Sequence, residues 1–300
     1  MTTTQSTTPP EKPRKRTFPL PGRVIVAAVV VFVTFLLVTP GELVEYKGDW
    51  FLAKTQMIGY AVCHQIEAHT FEIGERYFPL CARCTGTFTG ALVGFFGQAV
   101  VLRRRRATEF PSILAIVILV TFTLLWAADG LNSLLATPQM NTALVAVFNV
   151  QHLYEPMQEL RLVTGALNGL TMSALVYPAF NATMWRRFLP ERAIRGLRDL
   201  GLLVLLELGM AGVVLSLVLI SWTWALYPLA FLGALGVLTL LTSVNTMLVL
   251  IAVQRENTVD NWRAALIPLL AGFVVSLIQI AAISAVRYGF THSFLPMSLS

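Results

Sequence analysis

The sequence has few charged residues and only three cysteines. Asp, Glu, Lys and Arg make up 13% of the 300 residues, whereas hydrophobic residues make up 56%. A soluble domain of this length needs many more charges to cover its exterior, while lipid favours an apolar exterior. This shortage argues against an ordinary soluble enzyme and predicts an integral membrane protein whose first partner is the lipid bilayer.

Motifs of several common enzyme classes are also missing. The sequence contains no ATP-binding loop, dinucleotide-binding glycine motif, haem-attachment motif or serine-hydrolase elbow. The chain carries a net charge of +6, but its Lys and Arg occur in short runs between apolar stretches. We interpret these runs as signals for membrane orientation, and we expect no nucleic-acid partner.

The apolar runs predict an all-α bundle of about seven transmembrane helices with a cytoplasmic N-terminus. The predicted spans cover about residues 23–38, 85–102, 111–128, 161–177, 200–220, 226–253 and 264–286. This topology leaves most of the 22 Lys and Arg residues in the cytoplasm, as the positive-inside rule requires. The basic residues that it places outside are Lys47, Lys54, Arg76, Arg83, Arg161 and Arg287.

On this topology the chain divides into four parts. Residues 1–22 are expected to form a disordered cytoplasmic tail, and residues 23–180 a membrane domain with an extracytoplasmic Cys/His loop at 40–84. A basic cytoplasmic loop at 181–199 follows, and then three further transmembrane helices in 200–300. Within the Cys/His loop, the mixed charged and aromatic residues of 42–60 predict an interfacial helix along the headgroups.

All the cysteines lie in this predicted outer loop, together with a histidine. Cys63 and His64 are followed after sixteen residues by Cys81, and after two more by Cys84. Three thiols and one imidazole form a tetrahedral ligand set that suits zinc. Because adjacent residues point in different directions in regular structure, other candidates for the fourth ligand are His69, His152, Asp129 and water.

Two other chemistries fit the same cysteines. Cys81 and Cys84 form a Cys-x-x-Cys pair, and Cys63 could act as a third, attacking thiol, which together describe a membrane thiol-disulfide oxidoreductase. Alternatively, a disulfide or a closed metal site only stabilises the loop. The third functional alternative is a transporter or lipid-binding protein in which the Cys/His site is structural.

A metal site with an open ligand position predicts catalysis. A metal lowers the pKa of its bound water, and His64, Asp129 or Glu155 could then act as the general base. Asp129 and Arg161, at the outer ends of the third and fourth spans, are costly to desolvate and are expected to pair with each other or with a bound ligand. The predicted activity is a metal-dependent hydrolase or transferase that acts on a lipid or envelope substrate.

Small and polar residues inside the spans lead to two further predictions. Glycines recur every fourth residue in the second and fourth spans, which predicts close contact between these helices: Gly86, Gly90, Gly94, Gly165 and Gly169. Glu207 lies within the fifth span and is a candidate proton or cation site. The alternative is a neutral Glu207 that is hydrogen-bonded to Asn245 in the sixth span.

Four motifs together resemble a known family. They are Cys-His-Gln at 63–65, Pro-Leu-Cys-Ala-Arg-Cys-Thr-Gly at 79–86, Asp-Gly at 129–130 and Arg-Leu-Val-Thr-Gly at 161–165. Over about residues 63–177 the chain resembles the prokaryotic membrane proteins grouped as domain of unknown function 2085. The resemblance implies a compact multi-span helical domain in a prokaryotic cytoplasmic membrane, and it implies no activity.

Overall fold

The computed structural model describes residues 21–37, 49–136 and 152–292. The predicted disordered tail, most of the segment before Trp50 and much of the connection after the third span lie outside the described residues. Within them the chain forms eight α-helices. These are α1 (Pro21–Leu37), α2 (Trp50–Val62), α3 (Ala82–Phe96), α4 (Ile113–Leu135), α5 (Gln158–Met184), α6 (Leu197–Leu219), α7 (Leu226–Ala252) and α8 (Trp262–Thr291).

The prediction of an all-α membrane bundle is confirmed, since a helix occupies each of the seven predicted spans. Among the residues described, five helical segments are long and apolar enough to cross a membrane: Ala82–Val101, Ile113–Leu135, Leu197–Leu219, Thr223–Ala252 and Trp262–Thr291. Helix α1 is apolar but shorter, and α5 is long but rich in Asn, Thr, Ser and Gly. Helix α5 tolerates these polar residues because other helices surround it and bury most of its side chains.

Helices α3 and α5 pack against each other at the centre of the bundle. A side chain at Gly86 would collide with the carbonyl of Leu162, and a side chain at Gly169 would collide with the carbonyl of Thr87. The two backbones therefore approach as closely as only glycine allows. The predicted contact between the second and fourth spans is confirmed, and it places the start of α3 beside the start of α5.

Helix α2 differs from the predicted interfacial helix. Its thirteen residues span about 20 Å, which is too short to cross the hydrocarbon layer. Most of its side chains are nevertheless buried, including Leu52 and Tyr60, and α2 packs against α7 and α8. The ammonium group of Lys54 donates to the carbonyl of Phe35 in α1 at 2.8 Å. Charged and aromatic residues suggested the headgroup region, but neighbouring helices cover this segment.

Three loops hold most of the basic residues that the sequence predicts on the cytoplasmic side, and these loops meet at one end of the bundle. Strand β3 (Ala107–Glu109) pairs in parallel with β4 (Leu189–Arg192), which joins the loop after α3 to the loop after α5. Trp185 forms a bridge with Val259, so the loop between α7 and α8 joins the same group. This arrangement agrees with the prediction that the three loops share one side of the membrane; which side this is stays a prediction.

The opposite end of the bundle carries the cysteine segment. A short hairpin of β1 (Glu72–Ile73) and β2 (Arg76–Tyr77) lies between Cys63 and Cys81. Ile73 is fully buried, and it belongs to a core that contains Leu52 of α2 and Leu226 of α7. The hairpin is thus held against the helix ends by apolar burial, which fixes the position of the chain on both sides of it.

Candidate metal centre

The end of α2 and the start of α3 bring the cysteines together. Cys63 ends α2, Cys81 is the N-cap of α3, and Cys84 lies in the first turn of α3. Their sulfur atoms all lie within 4.8 Å of one another, and the three thiols are free. Because the N-cap and the third residue of a helix lie on the same side of its first turn, the Cys-x-x-Cys spacing presents both sulfurs to Cys63.

Backbone N–H groups point at two of the sulfurs. Gln65 and Cys81 donate from their backbone nitrogens to Cys63 Sγ at 3.4 Å and 3.3 Å, and Cys84 donates to Cys81 Sγ at 3.4 Å. Hydrogen bonds from such donors stabilise the thiolate form of cysteine. The segment is therefore built to hold negative charge on sulfur.

Gln65 connects the two parts of the chain that supply the cysteines. Its backbone adopts a left-handed conformation, with φ of 53°, which turns its side chain back into the bundle. The side-chain amide donates to the carbonyls of Gln56 at 3.1 Å and Pro79 at 2.8 Å. Gly59 makes room for this contact, because a Cβ there would lie 2.6 Å from the Pro79 carbonyl. Gln65 thus ties the end of α2 to the residues just before Cys81.

The spacing of the sulfurs suits one metal ion. Zinc binds thiolate at about 2.3 Å with tetrahedral angles, which requires sulfur atoms about 3.8 Å apart. The observed limit of 4.8 Å is close to this value. A disulfide would use only two of the three thiols. Hydrogen bonds from the Cys63 and Cys84 thiols lower the pKa of Cys81, whereas burial raises the pKa of Cys63.

The structure does not place His64 in the sulfur group. Its Nδ1 accepts a hydrogen bond from the backbone nitrogen of Ile66 at 3.1 Å, so a neutral ring carries its proton on Nε2. Its ring packs edge-on against His69, with 5.4 Å between centroids. Burial lowers the pKa of both rings, that of His69 to about 4. In the parts of the chain that the structure describes, no histidine or carboxylate joins the three sulfurs.

Asp129 has a different environment from the one predicted. Helix α4 continues to Leu135, so Asp129 lies within the helix and is 2% exposed. One carboxylate oxygen forms a short ion pair with Arg83, and the other accepts from the Tyr154 hydroxyl at 2.8 Å. The expectation that Asp129 pairs with Arg161 is therefore wrong, because Arg83 already occupies that position.

Arg161 is buried, and no carboxylate among the described residues pairs with it. Its guanidinium donates to Ser133 Oγ at 3.3 Å, to Gln158 Oε1 at 3.2 Å and to the Ala68 carbonyl at 3.4 Å. Arg83 shares Ser133 as an acceptor, at 3.0 Å. Arg161 thus fastens the segment after His64 to α4 and α5, and it lies close enough to Cys81 for their charges to interact.

Sequence reasoning missed the role of Arg287 at the end of α8. Its guanidinium donates to the carbonyls of Tyr60 at 2.6 Å and His64 at 2.9 Å, and also to that of Cys63. It also stacks 4.0 Å from the centroid of the Tyr60 ring. Arg287 caps the end of α2, where helical carbonyls lack partners. A cation near the outer end of an apolar span was the only signal for this role.

Comparison with known proteins places these residues in a family. A family profile described as a predicted membrane protein, domain of unknown function 2085, matches residues 63–175. The uncharacterized protein MJ1492 of Methanocaldococcus jannaschii is 26% identical over 127 residues, which cover 42% of this chain and 69% of that protein. An uncharacterized protein of Methanothermobacter thermautotrophicus is 30% identical over 84 residues, which cover 28% of this chain and 69% of the relative. The chain belongs to this family. No solved structure matches it.

The residues that match the family profile contain all three cysteines and part of the structure that supports them. They include the hairpin, α3, α4 and most of α5, and with them Arg83, Asp129 and Arg161. Helices α6 to α8 follow the matched residues, yet they complete the structure around the cysteines. Gly236 of α7 contacts the backbone of Phe88 in α3, and Arg287 of α8 caps the cysteine segment.

Proposed function

We propose that this protein is an integral membrane zinc-binding protein in which Cys63, Cys81 and Cys84 hold the metal. The observation that carries this proposal is the convergence of three free sulfurs within 4.8 Å, with backbone N–H groups directed at two of them. A soft ligand set of three thiolates favours zinc over magnesium or calcium.

The surrounding charge supports a metal–thiolate group. Three thiolates and one Zn²⁺ carry a net charge of −1, which needs a cation when it is buried. Arg161 lies close enough to Cys81, and Arg287 close enough to Cys63, for their charges to interact. Neither guanidinium pairs with a carboxylate among the described residues. The two arginines thus provide the positive charge that a buried anionic centre requires.

The geometry also supports an open fourth ligand position. The described histidines and carboxylates lie outside the sulfur group, so water is the fourth ligand that we propose. Water on zinc has a lowered pKa and can act as a nucleophile, which is the basis for hydrolase or transferase activity on a lipid or envelope substrate. Asp129 is not free to act as the general base, because both its oxygens are engaged.

We propose that the cysteine end of the bundle faces outwards from a prokaryotic cytoplasmic membrane. The three loops that carry most of the internal basic residues meet at the opposite end, and such loops remain in the cytoplasm. A variant whose three native cysteines are replaced by serine, and which carries one introduced cysteine at exposed Glu75 in the hairpin, tests this orientation. An impermeant maleimide should label Glu75→Cys in intact cells, and labelling only after lysis would reverse the orientation.

Metal analysis of the detergent-purified chain tests the zinc proposal. We expect about one zinc per chain in the wild type and at least a tenfold loss in Cys81→Ser. Thr85→Ser is the matched control, because it keeps all three thiols and a hydroxyl that can donate to the Leu80 carbonyl. Wild-type protein without zinc, or Cys81→Ser with undiminished zinc, would contradict the proposal.

A thiol count on the same samples separates the redox alternative. The lowered pKa of Cys81 and its two neighbouring thiols favour thiol-disulfide exchange as the second candidate function. Three thiols that react in denaturant and chelator, with or without reductant, agree with the metal site. Two thiols that appear only after reduction would show a disulfide and favour the oxidoreductase.

A complementation experiment tests the hydrolase or transferase activity. When Cys84→Ser is expressed in a deletion strain, the protein should be present in the membrane but should not restore the wild-type phenotype. Full complementation by Cys84→Ser would exclude a catalytic role for this site.

A further inference from the structure

Glu207 lies in the middle of a membrane-spanning helix. It is ten residues from the start of α6 and twelve from its end, which places it about 15 Å along the helix. The hydrocarbon layer is about 30 Å thick, so this carboxyl lies near its centre. Its side chain is fully buried.

The carboxyl of Glu207 is unpaired among the residues that the structure describes. Neither of its oxygens has a hydrogen-bond partner in the described chain. The alternative of a bond to Asn245 is therefore wrong, because this bond would engage one of the two Glu207 oxygens. The Asn245 side-chain nitrogen donates to Ser276 and Gln279 of α8, both at 2.9 Å. The polar residues of the fifth and sixth spans therefore serve two separate interfaces.

No cation lies nearby on the helices that meet at Glu207. All other charged residues of α3, α5 and α6 lie at the helix ends: Arg83, Glu159 and Arg161 at the cysteine end, and Arg198 and Asp199 at the other. An ionised carboxylate without a counter-charge is very costly in such surroundings. Glu207 is therefore in the neutral, protonated form at rest.

The carboxyl occupies a space that α3 leaves open for it. A Cβ at Gly90 would lie 3.0 Å from Glu207 Oε2 and 2.6 Å from the carbonyl of Ala166 in α5. Three helices thus converge on this group. Gly90 lies six residues after Cys84 on α3, which corresponds to about 9 Å along the helix axis.

Threonine hydroxyls connect this position to the cysteine end. The Thr89 hydroxyl donates to the carbonyl of Thr85, and the Thr85 hydroxyl donates to that of Leu80 at 3.2 Å. Thr89 Oγ1 also lies 3.5 Å from Met210 Sδ, one helical turn from Glu207 on α6. Two hydroxyls one helical turn apart on α3 therefore lie between Leu80 at the cysteine end and the turn of α6 that carries Glu207.

We propose that Glu207 is a proton-binding site in the middle of the membrane, which exchanges its proton with water at the cysteine end of the bundle. On ionisation the O–H bond breaks, the proton passes to water, and the electron pair stays on the carboxylate. The same steps in reverse reload the site. The proton site at Glu207 does not require zinc at the cysteines. It makes the charge inside the membrane domain depend on the proton concentration at the cysteine end.

Infrared spectroscopy of the full chain in lipid vesicles tests the proposal. A protonated carboxyl in an apolar site has its own C=O stretching band, and we expect this band in the wild type but not in Glu207→Gln. On transfer to D₂O the band should shift, because the proton exchanges. Thr89→Val should slow this shift at least threefold, whereas Thr121→Val, an exposed hydroxyl on α4, should not.

Three results would overturn the proposal. The first is the absence of the band from the wild type, which means an ionised group, and the second is a band that does not shift during hours in D₂O, which means no exchange. An equal exchange rate in Thr89→Val and the wild type would exclude access along the threonines. If Glu207→Gln does not fold, labelling of the wild type with a hydrophobic carbodiimide identifies the acid. Peptide mass spectrometry should then find the label at Glu207 at pH 7, at least tenfold faster than at exposed Glu109.

Discussion

The ion pair between Arg83 and Asp129 should contribute far more to stability than an exposed ion pair of the same protein. The two side chains are 16% and 2% exposed, whereas those of Arg186 and Asp260 are 54% and 46% exposed at 3.0 Å. Removing one partner of a buried pair leaves an uncompensated charge and costs about 3–5 kcal/mol. An exposed pair contributes about 0–1 kcal/mol.

A double-mutant cycle in detergent micelles measures this difference. We expect Arg83→Met to lower the free energy of unfolding by about 3 kcal/mol or more, since buried Asp129 then keeps only its hydrogen bond from Tyr154. Asp129→Leu should cost a similar amount. The double variant should regain about 2–3 kcal/mol relative to the sum of the two, because no charge remains buried alone.

The assay is reversible unfolding in a titration of denaturing detergent, followed by tryptophan fluorescence. The matched cycle uses Arg186→Met and Asp260→Leu, for which each change should stay within about 1 kcal/mol. Strict additivity at Arg83 and Asp129, or single effects no larger than those of the exposed pair, would refute the argument from burial.

Four further predictions use the same unfolding assay or hydrogen exchange. Gly169→Ala should lower the free energy of unfolding by about 2 kcal/mol, because the new Cβ collides with the backbone of α3. Gly209→Ala, whose Cβ would have nothing within 4 Å, should change it by about 0.5 kcal/mol or less. Equal effects of the two variants would contradict the packing argument. Arg287→Met should speed amide exchange at residues 63–66 about tenfold or more, because the capped carbonyls lose their donor, and unchanged exchange would deny this role. Burial and the hydrogen-bonded Asp129 carboxylate raise the pKa of Tyr154 to about 12. Between about pH 10 and pH 12 the folded state keeps a proton that the unfolded state loses, so the free energy of unfolding should fall over this range. Tyr154→Phe should lack this part of the decline. Glu207→Leu should raise the free energy of unfolding by about 1–3 kcal/mol, since it removes an unsatisfied buried polar group, and a loss of stability would show a hidden partner.

The helices and their main contact were predictable from local patterns. Long apolar runs require helices in lipid, and glycines at intervals of four permit close approach, so the contact of Gly86 with the backbone of Leu162 followed from spacing. The clustering of Cys63 with Cys81 was also predictable, because thiolates are the ligands that soft metals prefer and all three cysteines lie in one loop.

The partners of the buried charges were not predictable in the same way. Asp129 could have met any cation at the cysteine end of the bundle, and the choice between Arg83 and Arg161 depends on helix rotation, which apolar runs do not specify. The burial of α2 likewise depends on which neighbours cover it. Sequence shows which side chains are costly in a membrane, but the tertiary fold decides which group satisfies each of them.

The contact made by Arg287 has a consequence for the order in which the protein matures. This side chain lies 224 residues after Cys63, to whose carbonyl it donates. A ribosome must therefore synthesise these 224 further residues before the end of α2 receives its cap. Until α8 has been inserted, the carbonyls of Tyr60, Cys63 and His64 lack this donor. The chain around the cysteines thus reaches its final arrangement late in synthesis, when α8 is in place.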